Sequence, residues 1–272
     1  MHRSGTSAVA RMLSLLGASR TRTLLPAQSG ENELGFWEPE RIVRVHEEIL
    51  GSLGSSWDDV SPIPSGWFES ELARAYEHRL VGLLKEEFGD APLFVLNDPR
   101  IRRLVPLWTS ALDRFGADPS FVILIRNPLE VAASIRDRNG FGSGKSLLLW
   151  LSHLLEVERD TRQSPRTFLS YEGLLRDWRR AAERISADLS ITFPRLIDEA
   201  HGEVEQFLDL GLRHNFFSAS EIEALPDVTK WVADAFRAAL EASEEEMRDV
   251  FDAIRAEVDR ANEAYALSVN VT

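Results

Sequence analysis

The residues best suited to bind an anion stand near the start of the chain, in the segment "RSGTSA". Arg3 carries a fixed positive charge, and Gly5 lets the backbone approach a ligand closely. Hydroxyl groups come from Ser4, Thr6 and Ser7. The helical pattern that follows adds unpaired N–H groups and the positive end of its dipole. These features suit a phosphate or a sulfate, and the alternative is an ordinary Ser/Thr cap of a helix.

A second pair of residues could hold an anion beside the most apolar strand pattern, "SFVILIRNP". Arg126 ends this run, and Ser134 lies eight positions later, within the next predicted helix. An arginine at the end of a strand and a serine one or two helical turns further on can converge on a single anion. The alternative is a surface arginine and a small residue that packs a helix against a sheet.

The segment "GFGSGKS" at 140–146 imitates a nucleotide-binding loop. It contains Gly144, Lys145 and Ser146, but a nucleoside-triphosphatase loop needs its first glycine at position 139, which is Asn139. The segment also follows a predicted helix rather than a strand. We therefore expect a flexible loop that caps the next helix.

Short apolar segments alternate with amphipathic helical patterns along the first two thirds of the chain. The predicted strands are "PLFVLNDP", "SFVILIRNP" and "RTFLSYEGLL"; the predicted helices include 6–17, "ERIVRVHEEILGSLG", "ESELARAYEHRLVGLLKEEFG", "RLVPLWTSALDRFG", "LEVAASIRDRNG" and "SLLLWLSHLLEVERDT". This alternation predicts an α/β fold with a parallel sheet and helices on both of its faces. In such sheets ligands bind at the carboxyl ends of the strands.

The segments "RSGTSA" and "IRNPLEVAAS" resemble the two signature segments of sulfotransferases that use 3′-phosphoadenosine 5′-phosphosulfate (PAPS). "FLSYEGLLRDW" resembles a third family segment, and "LGFWEPERIVRVHEEIL" and "LNDPRIRRLVPLW" resemble a bacterial branch. The matches occur in the family's order over roughly residues 2 to 180. The resemblance implies a P-loop-like, three-layer α/β/α fold with a central parallel sheet.

Carried onto this sequence, the resemblance assigns the 5′-phosphosulfate to the first loop and the 3′-phosphate to Arg126 and Ser134. It places Tyr171 near the adenosine, and it implies that no metal is required. The residues assigned to the phosphosulfate are Arg3, Ser4, Gly5, Thr6 and Ser7. The family also has a central strand directly before His2, which this sequence does not contain, so we expect the native gene to extend upstream.

A sulfuryl transfer needs a general base for the acceptor hydroxyl or amine. We expect Glu38 in "GFWEPE" to fill this role, because Phe36 and Trp37 beside it could desolvate the carboxylate and raise its pKa. The alternative is that Glu38 caps the helix that follows. His2 adjoins the first loop and would more naturally face the cofactor.

The end of the second predicted strand departs from the bacterial branch. Where the branch carries a lysine beside the leaving oxygen, this chain has Asn97, which donates a hydrogen bond but has no charge. Either the transfer activity is lower, or Arg3 and Arg100 supply the positive charge that the lysine would provide. Asp98 could hold an arginine in place, or "NDP" could be a simple turn.

Composition limits the partners and the location. A net charge of −13 argues against a general binder of nucleic acid or anionic membranes. The absence of cysteine excludes disulfides, thiolate metal sites and thiol catalysis. No apolar run reaches the 18 residues of a membrane span, and we expect a cytoplasmic protein with a saccharide or small-molecule acceptor.

We expect a single domain, with an α/β core over 1–215 and an acidic helical extension over 216–272. The extension carries one apolar face, formed by Met247, Val250, Phe251, Ile254 and Val258. This face could pack against the domain, form a homodimer or cover the acceptor site.

Two other functions remain open at this point. A P-loop kinase is disfavoured by the missing Gly-Lys-Ser/Thr loop at a strand end. A protein that binds PAPS or its product with little or no turnover is favoured by Asn97 and by the missing first strand.

Overall fold

The structure is a computed structural model that describes residues 1–26, 35–208, 217, 222, 229–241 and 244–269, with side chains up to residue 262. Its helices are α1 (Thr6–Leu15), α2 (Glu40–Ser52), α3 (Glu71–Glu87), α4 (Val105–Phe115), α5 (Pro128–Asn139), α6 (Ser143–Asp160), α7 (Tyr171–Arg176), α8 (Trp178–Leu189), α9 (Ile197–Leu208), α10 (Lys230–Glu241) and α11 (Glu244–Val269). Two 3₁₀ helices span Ser65–Glu69 and Pro99–Arg103. Helices α8 and α9 were not among the elements predicted from the sequence.

Two parallel strands, β1 (Phe121–Ile125) and β2 (Arg166–Ser170), form the sheet of the described residues. They are in register from Phe121 opposite Arg166 to Ile125 opposite Ser170. The β-branched and aromatic residues of β1 favour this conformation. The prediction of α/β character with parallel strands is confirmed, and a three-layer fold around a larger central sheet stays a prediction.

The prediction of a strand in "PLFVLNDP" is wrong. Only an isolated parallel bridge forms there, in which Ser19 N–H donates to Leu93 O and Val95 N–H donates to Ser19 O, both at 2.9 Å. A cavity of about 1270 Å³ is lined both by residues 93–98 and by β1. An apolar run becomes a strand only where neighbouring strands pair with it along its length, and here a single residue does so.

Helices cover both faces of the two strands. Val122 and Leu124 pack with the buried side chains of α1 and α8. On the opposite face, Ile123 and Ile125 join a cluster contributed mainly by α5, α6, α10 and α11. A third cluster joins α2, α3 and α4.

The C-terminal helices are part of the core. Met247, Phe251 and Ile254 are buried in the cluster that contains β1, and Val250 and Val258 pack against it. The apolar face of the extension therefore packs within the chain. A homodimer through these helices stays a prediction.

Candidate functional site

The first loop has a backbone suited to an anion. Arg3 and Gly5 both adopt left-handed conformations, with φ of 63° and 88°, and α1 begins directly afterwards at Thr6. A left-handed residue followed by a helical one turns successive N–H groups toward a common point. Gly5 is the N-cap of α1, and no side chain caps the helix there.

Tyr171 explains why position 5 is a glycine. A Cβ atom placed on Gly5 would lie 2.3 Å from two carbons of the Tyr171 ring. Tyr171 is 3 % exposed and stands at the start of α7, immediately after β2. A glycine is thus required at this position by both the φ angle and the contact.

Arg126 contacts both the loop and Tyr171. Its Nη1 donates to the backbone oxygen of Arg3 at 2.9 Å, and its guanidinium carbon lies 4.8 Å from the centroid of the Tyr171 ring. Because Ile125 is in register with Ser170, the residues that follow the two strands are neighbours. The buried Glu130 accepts a 2.9 Å hydrogen bond from Arg126 Nε and fixes the guanidinium from behind.

Ser134 completes this group of side chains. Its Oγ accepts a hydrogen bond of 2.7 Å from Arg3 Nε. These residues come from three segments of the sequence, up to 168 positions apart, and the structure brings them together at the carboxyl ends of β1 and β2. We call this group the anion cluster: Arg3, Gly5, Arg126, Ser134 and Tyr171.

The remaining predicted residues of the loop differ in their surroundings. Ser4 is buried, and both Ser4 and Thr6 line the cavity beside β1. Ser7 Oγ donates to the carbonyl oxygen of Phe36 at 2.9 Å, and Asn97 Nδ2 donates to the same oxygen at 3.1 Å. These two side chains anchor the segment that carries Glu38 beside the anion cluster.

Glu38 is buried, with 6 % of its surface exposed. Burial and the negative charge of Asp98 raise its pKa to about 8, although Arg100 opposes this shift from a distance of 3.3 Å between Nη1 and Oε2. A group with this pKa is partly deprotonated near neutral pH, and its deprotonated form is a stronger base than an ordinary carboxylate. The aromatic ring of Trp37 lies against Arg11, 4.5 Å from its guanidinium carbon.

Asp98 has two roles in the structure. Its Oδ1 accepts hydrogen bonds of 2.9 Å from the backbone N–H of Arg100 and from Arg100 Nη1, so it both caps the 3₁₀ helix and holds an arginine. Its Oδ2 lies 2.6 Å from His46 Nδ1. Burial alone would raise the pKa of Asp98, but His46 and Arg100 hold it below its ordinary value.

The residues around Asp98 are those that sequence analysis missed. Neither His46 nor Trp108 was identified from the sequence. A histidine on the apolar face of α2 is a weak signal, because its partners are 52 and 62 positions away.

The segment "GFGSGKS" leads into α6, which begins at Ser143. Lys145 pairs with Asp58 and lies over the ring of Phe141. The expectation of a flexible loop that caps the next helix holds only for the position before it: Gly142 is the N-cap of α6, but Gly144, Lys145 and Ser146 lie within the helix.

Comparisons with models of protein families, with curated proteins and with solved structures returned no match. Among the described residues, no three His, Asp or Glu side chains are grouped so that they could hold a metal ion. None of the described helices combines the length and apolar character needed to cross a membrane.

Proposed function

We propose that this protein is a PAPS-dependent sulfotransferase that transfers a sulfuryl group to a hydroxyl or amine of a saccharide or small-molecule acceptor. The observation that carries the proposal is the anion cluster. Two arginines, a serine and a tyrosine from distant segments contact one another, and the tyrosine ring lies against the glycine at the start of α1. They are the residues that the resemblance to sulfotransferases assigns to the nucleotide.

The chemistry of these residues fits a nucleotide with two anionic ends. Guanidinium groups, a serine hydroxyl and the N–H groups at the start of α1 are the donors that phosphate and sulfate esters require. When bound, PAPS supplies the activated sulfuryl group. Following the resemblance, Arg3 and the loop through Ser7 would hold the 5′-phosphosulfate, and Arg126 and Ser134 the 3′-phosphate.

Tyr171 would border the adenosine, and its ring also fixes the loop by its contact with Gly5. The three-layer α/β/α fold belongs to the same proposal, supported by the helices on both faces of β1 and β2. The location that we propose is the cytoplasm.

Glu38 is the residue that we assign to proton removal from the acceptor. Its carboxylate is buried, and its pKa is raised to about 8. The segment that carries it is held to the start of α1 by the hydrogen bond from Ser7 Oγ to the carbonyl oxygen of Phe36. Arg3 and Asn97 are the other catalytic residues proposed. The amide of Asn97 donates to the carbonyl oxygen of Phe36 and so helps to position Glu38.

A nucleotide-binding protein with little turnover is the second candidate. It is favoured by Asn97, since an uncharged amide that already donates to Phe36 supplies little positive charge to a leaving phosphate. A P-loop kinase has less support, because the Gly-Lys-Ser sequence lies inside the start of α6.

Calorimetry with 3′,5′-ADP tests the nucleotide site. We expect wild type and Arg136→Ala to bind, because Arg136 lies on the same helix but is exposed and pairs only with Asp137 among the described contacts. Arg126→Ala should lose binding. Because that change leaves the buried Glu130 without its arginine, Ser134→Ala provides a second variant with a smaller structural effect.

Absence of 3′,5′-ADP binding in wild type, or equal binding by all four proteins, would reject the nucleotide site. Incubation with PAPS and a panel of sugar, amine and phenol acceptors then separates the two candidates. Transfer in wild type that is lost in Glu38→Gln, with unchanged affinity for 3′,5′-ADP, supports the enzyme.

A further inference from the structure

Glu38 lies at one end of a buried chain of hydrogen bonds. From Glu38 Oε2 the first contact is Arg100 Nη1 at 3.3 Å, and the same Nη1 donates to Asp98 Oδ1 at 2.9 Å. Arg100 is held on its other side by the carboxylate of Glu47, which accepts from Nε. The position of this guanidinium next to Glu38 therefore depends on Asp98.

The chain continues away from the anion cluster. Asp98 Oδ2 lies 2.6 Å from His46 Nδ1, and His46 Nε2 lies 2.8 Å from Trp108 Nε1. The side chains of Asp98 and His46 are fully buried, and Trp108 is 1 % exposed. Five side chains from four parts of the fold are thus linked in series.

Trp108 fixes the tautomer of His46. An indole nitrogen can only donate a hydrogen bond, so His46 Nε2 must accept and carries no proton. The ring proton then lies on Nδ1 and is donated to Asp98. In this state His46 is neutral, and Asp98 keeps its full negative charge.

The negative charge of Asp98 acts on the proton affinity of Glu38. Apart from these two carboxylates, the charged and titratable groups that face Glu38 or Asp98 are Arg100, Arg138, His46, His2 and the amino group of Met1. The negative charge of Asp98 raises the proton affinity of Glu38, whereas the positive charges of Arg100 and Arg138 lower it. A second proton on His46 would cancel the charge of Asp98 and weaken its hold on Arg100.

We propose that His46 and Trp108 are positioning residues for Glu38. The indole keeps the imidazole neutral, the imidazole orients Asp98 without neutralising it, and Asp98 sets the place of Arg100 against the carboxylate that accepts the proton. This inference rests on the proposed role of Glu38 in proton removal, but its structural part can be measured without substrates.

The first experiment observes the histidine ring. In protein labelled with ¹⁵N-histidine, the long-range ¹H–¹⁵N spectrum should show His46 with its proton on Nδ1 and none on Nε2, with His46→Asn used to identify its signals. A proton on Nε2 in wild type at neutral pH would overturn the proposal.

The second experiment titrates the Glu38 carboxyl by ¹³C NMR in ¹³C-glutamate protein, with Glu38→Gln identifying the signal. Trp108→Phe keeps an aromatic ring but removes the indole N–H. We expect the titration midpoint of Glu38 to fall by about one pH unit. The control Trp178→Phe changes a buried tryptophan of α8 elsewhere in the fold and should leave the midpoint in place. An equal midpoint in folded Trp108→Phe and Trp178→Phe contradicts the proposal.

If Trp108→Phe does not fold, a pair of variants at position 46 tests whether His46 positions Asp98. The amide of His46→Asn can donate to Asp98 and cannot gain a charge, so it should preserve the midpoint. His46→Leu has no donor and should lower the midpoint. The pH profile of sulfate transfer should shift in the same direction. Identical titration midpoints of Glu38 in the two variants would mean that His46 only fills space. Failure to detect sulfate transfer in wild type would reject the proposed function, but the titration result would remain valid.

Discussion

Replacement of Gly5 by alanine combines two structural costs that can be measured separately. The residue has φ of 88°, and a Cβ would lie 2.3 Å from the Tyr171 ring. A left-handed conformation costs about 1–2 kcal/mol for a residue with a Cβ. Overpacking of a buried contact typically adds about 1–3 kcal/mol. We therefore expect Gly5→Ala to lower the free energy of unfolding by about 2–5 kcal/mol.

Gly116 provides a matched control. Its φ is 86°, and no atom lies within 4 Å of the position that a Cβ would occupy. Gly116→Ala should therefore show only the backbone cost of about 1–2 kcal/mol. Urea unfolding followed by the fluorescence of the seven tryptophans gives both values.

The contribution of the ring follows from a double-mutant cycle with Tyr171→Ala. Removing the ring opens space for the new methyl group, so the losses in Gly5→Ala and Tyr171→Ala should not add, and the coupling should be about 1–3 kcal/mol. Equal losses in Gly5→Ala and Gly116→Ala, or additive losses in the cycle, would show that the ring does not press on the loop.

The other predictions concern buried polar groups. Because folding raises the pKa of Glu38 from its ordinary 4.5 to about 8, wild type should lose stability relative to Glu38→Gln as the pH rises through this window, as measured by urea unfolding at pH 5 and pH 8. Glu156→Ala leaves the buried Arg102 without its 2.6 Å partner and should cost about 3–5 kcal/mol, measured by the same assay at neutral pH. Glu87 accepts hydrogen bonds from the segment 21–23, and these bonds outweigh the effect of burial and lower its pKa. The stability that Glu87 gives to the fold should therefore be lost as the pH falls below 4.5. In thermal melts Glu87→Gln should make the melting temperature less dependent on pH in this acid range. Asn97→Asp would place a carboxylate against the Phe36 carbonyl oxygen and should lower the melting temperature, whereas no change in melting would mean that this hydrogen bond is unimportant.

Local signals in the sequence predicted most of the helices. In α3 the N-cap Ser70 accepts from Ala73 N–H, and in α5 Asn127 accepts from Leu129 N–H with a proline at the first helical position. Both signals act within a few residues, so they are visible in the sequence itself. The members of the anion cluster also carry local signals: Arg3 and Gly5 precede a helix, Arg126 and Tyr171 follow strands, and Ser134 lies eight positions after Arg126 in the next helix.

Pairing between distant segments was not predictable in this way. The residues 93–96 have the composition of a strand, but whether they form one depends on which backbone lies beside them. The contacts of His46 likewise come from other elements, at Asp98 and Trp108. No local pattern marks a histidine whose tautomer is set by an indole 62 positions further along the chain.

The packing of α11 over β1 has a consequence for synthesis of the chain. Ile123 and Ile125 share their core with Phe251, which a ribosome adds about 126 residues after β1 is complete. At about 5–20 residues per second this interval lasts roughly 6–25 s. Throughout that time the face of β1 that Phe251 later covers lacks its final cover and is open to chaperones. The nascent chain can complete this core only after Phe251 has left the ribosome.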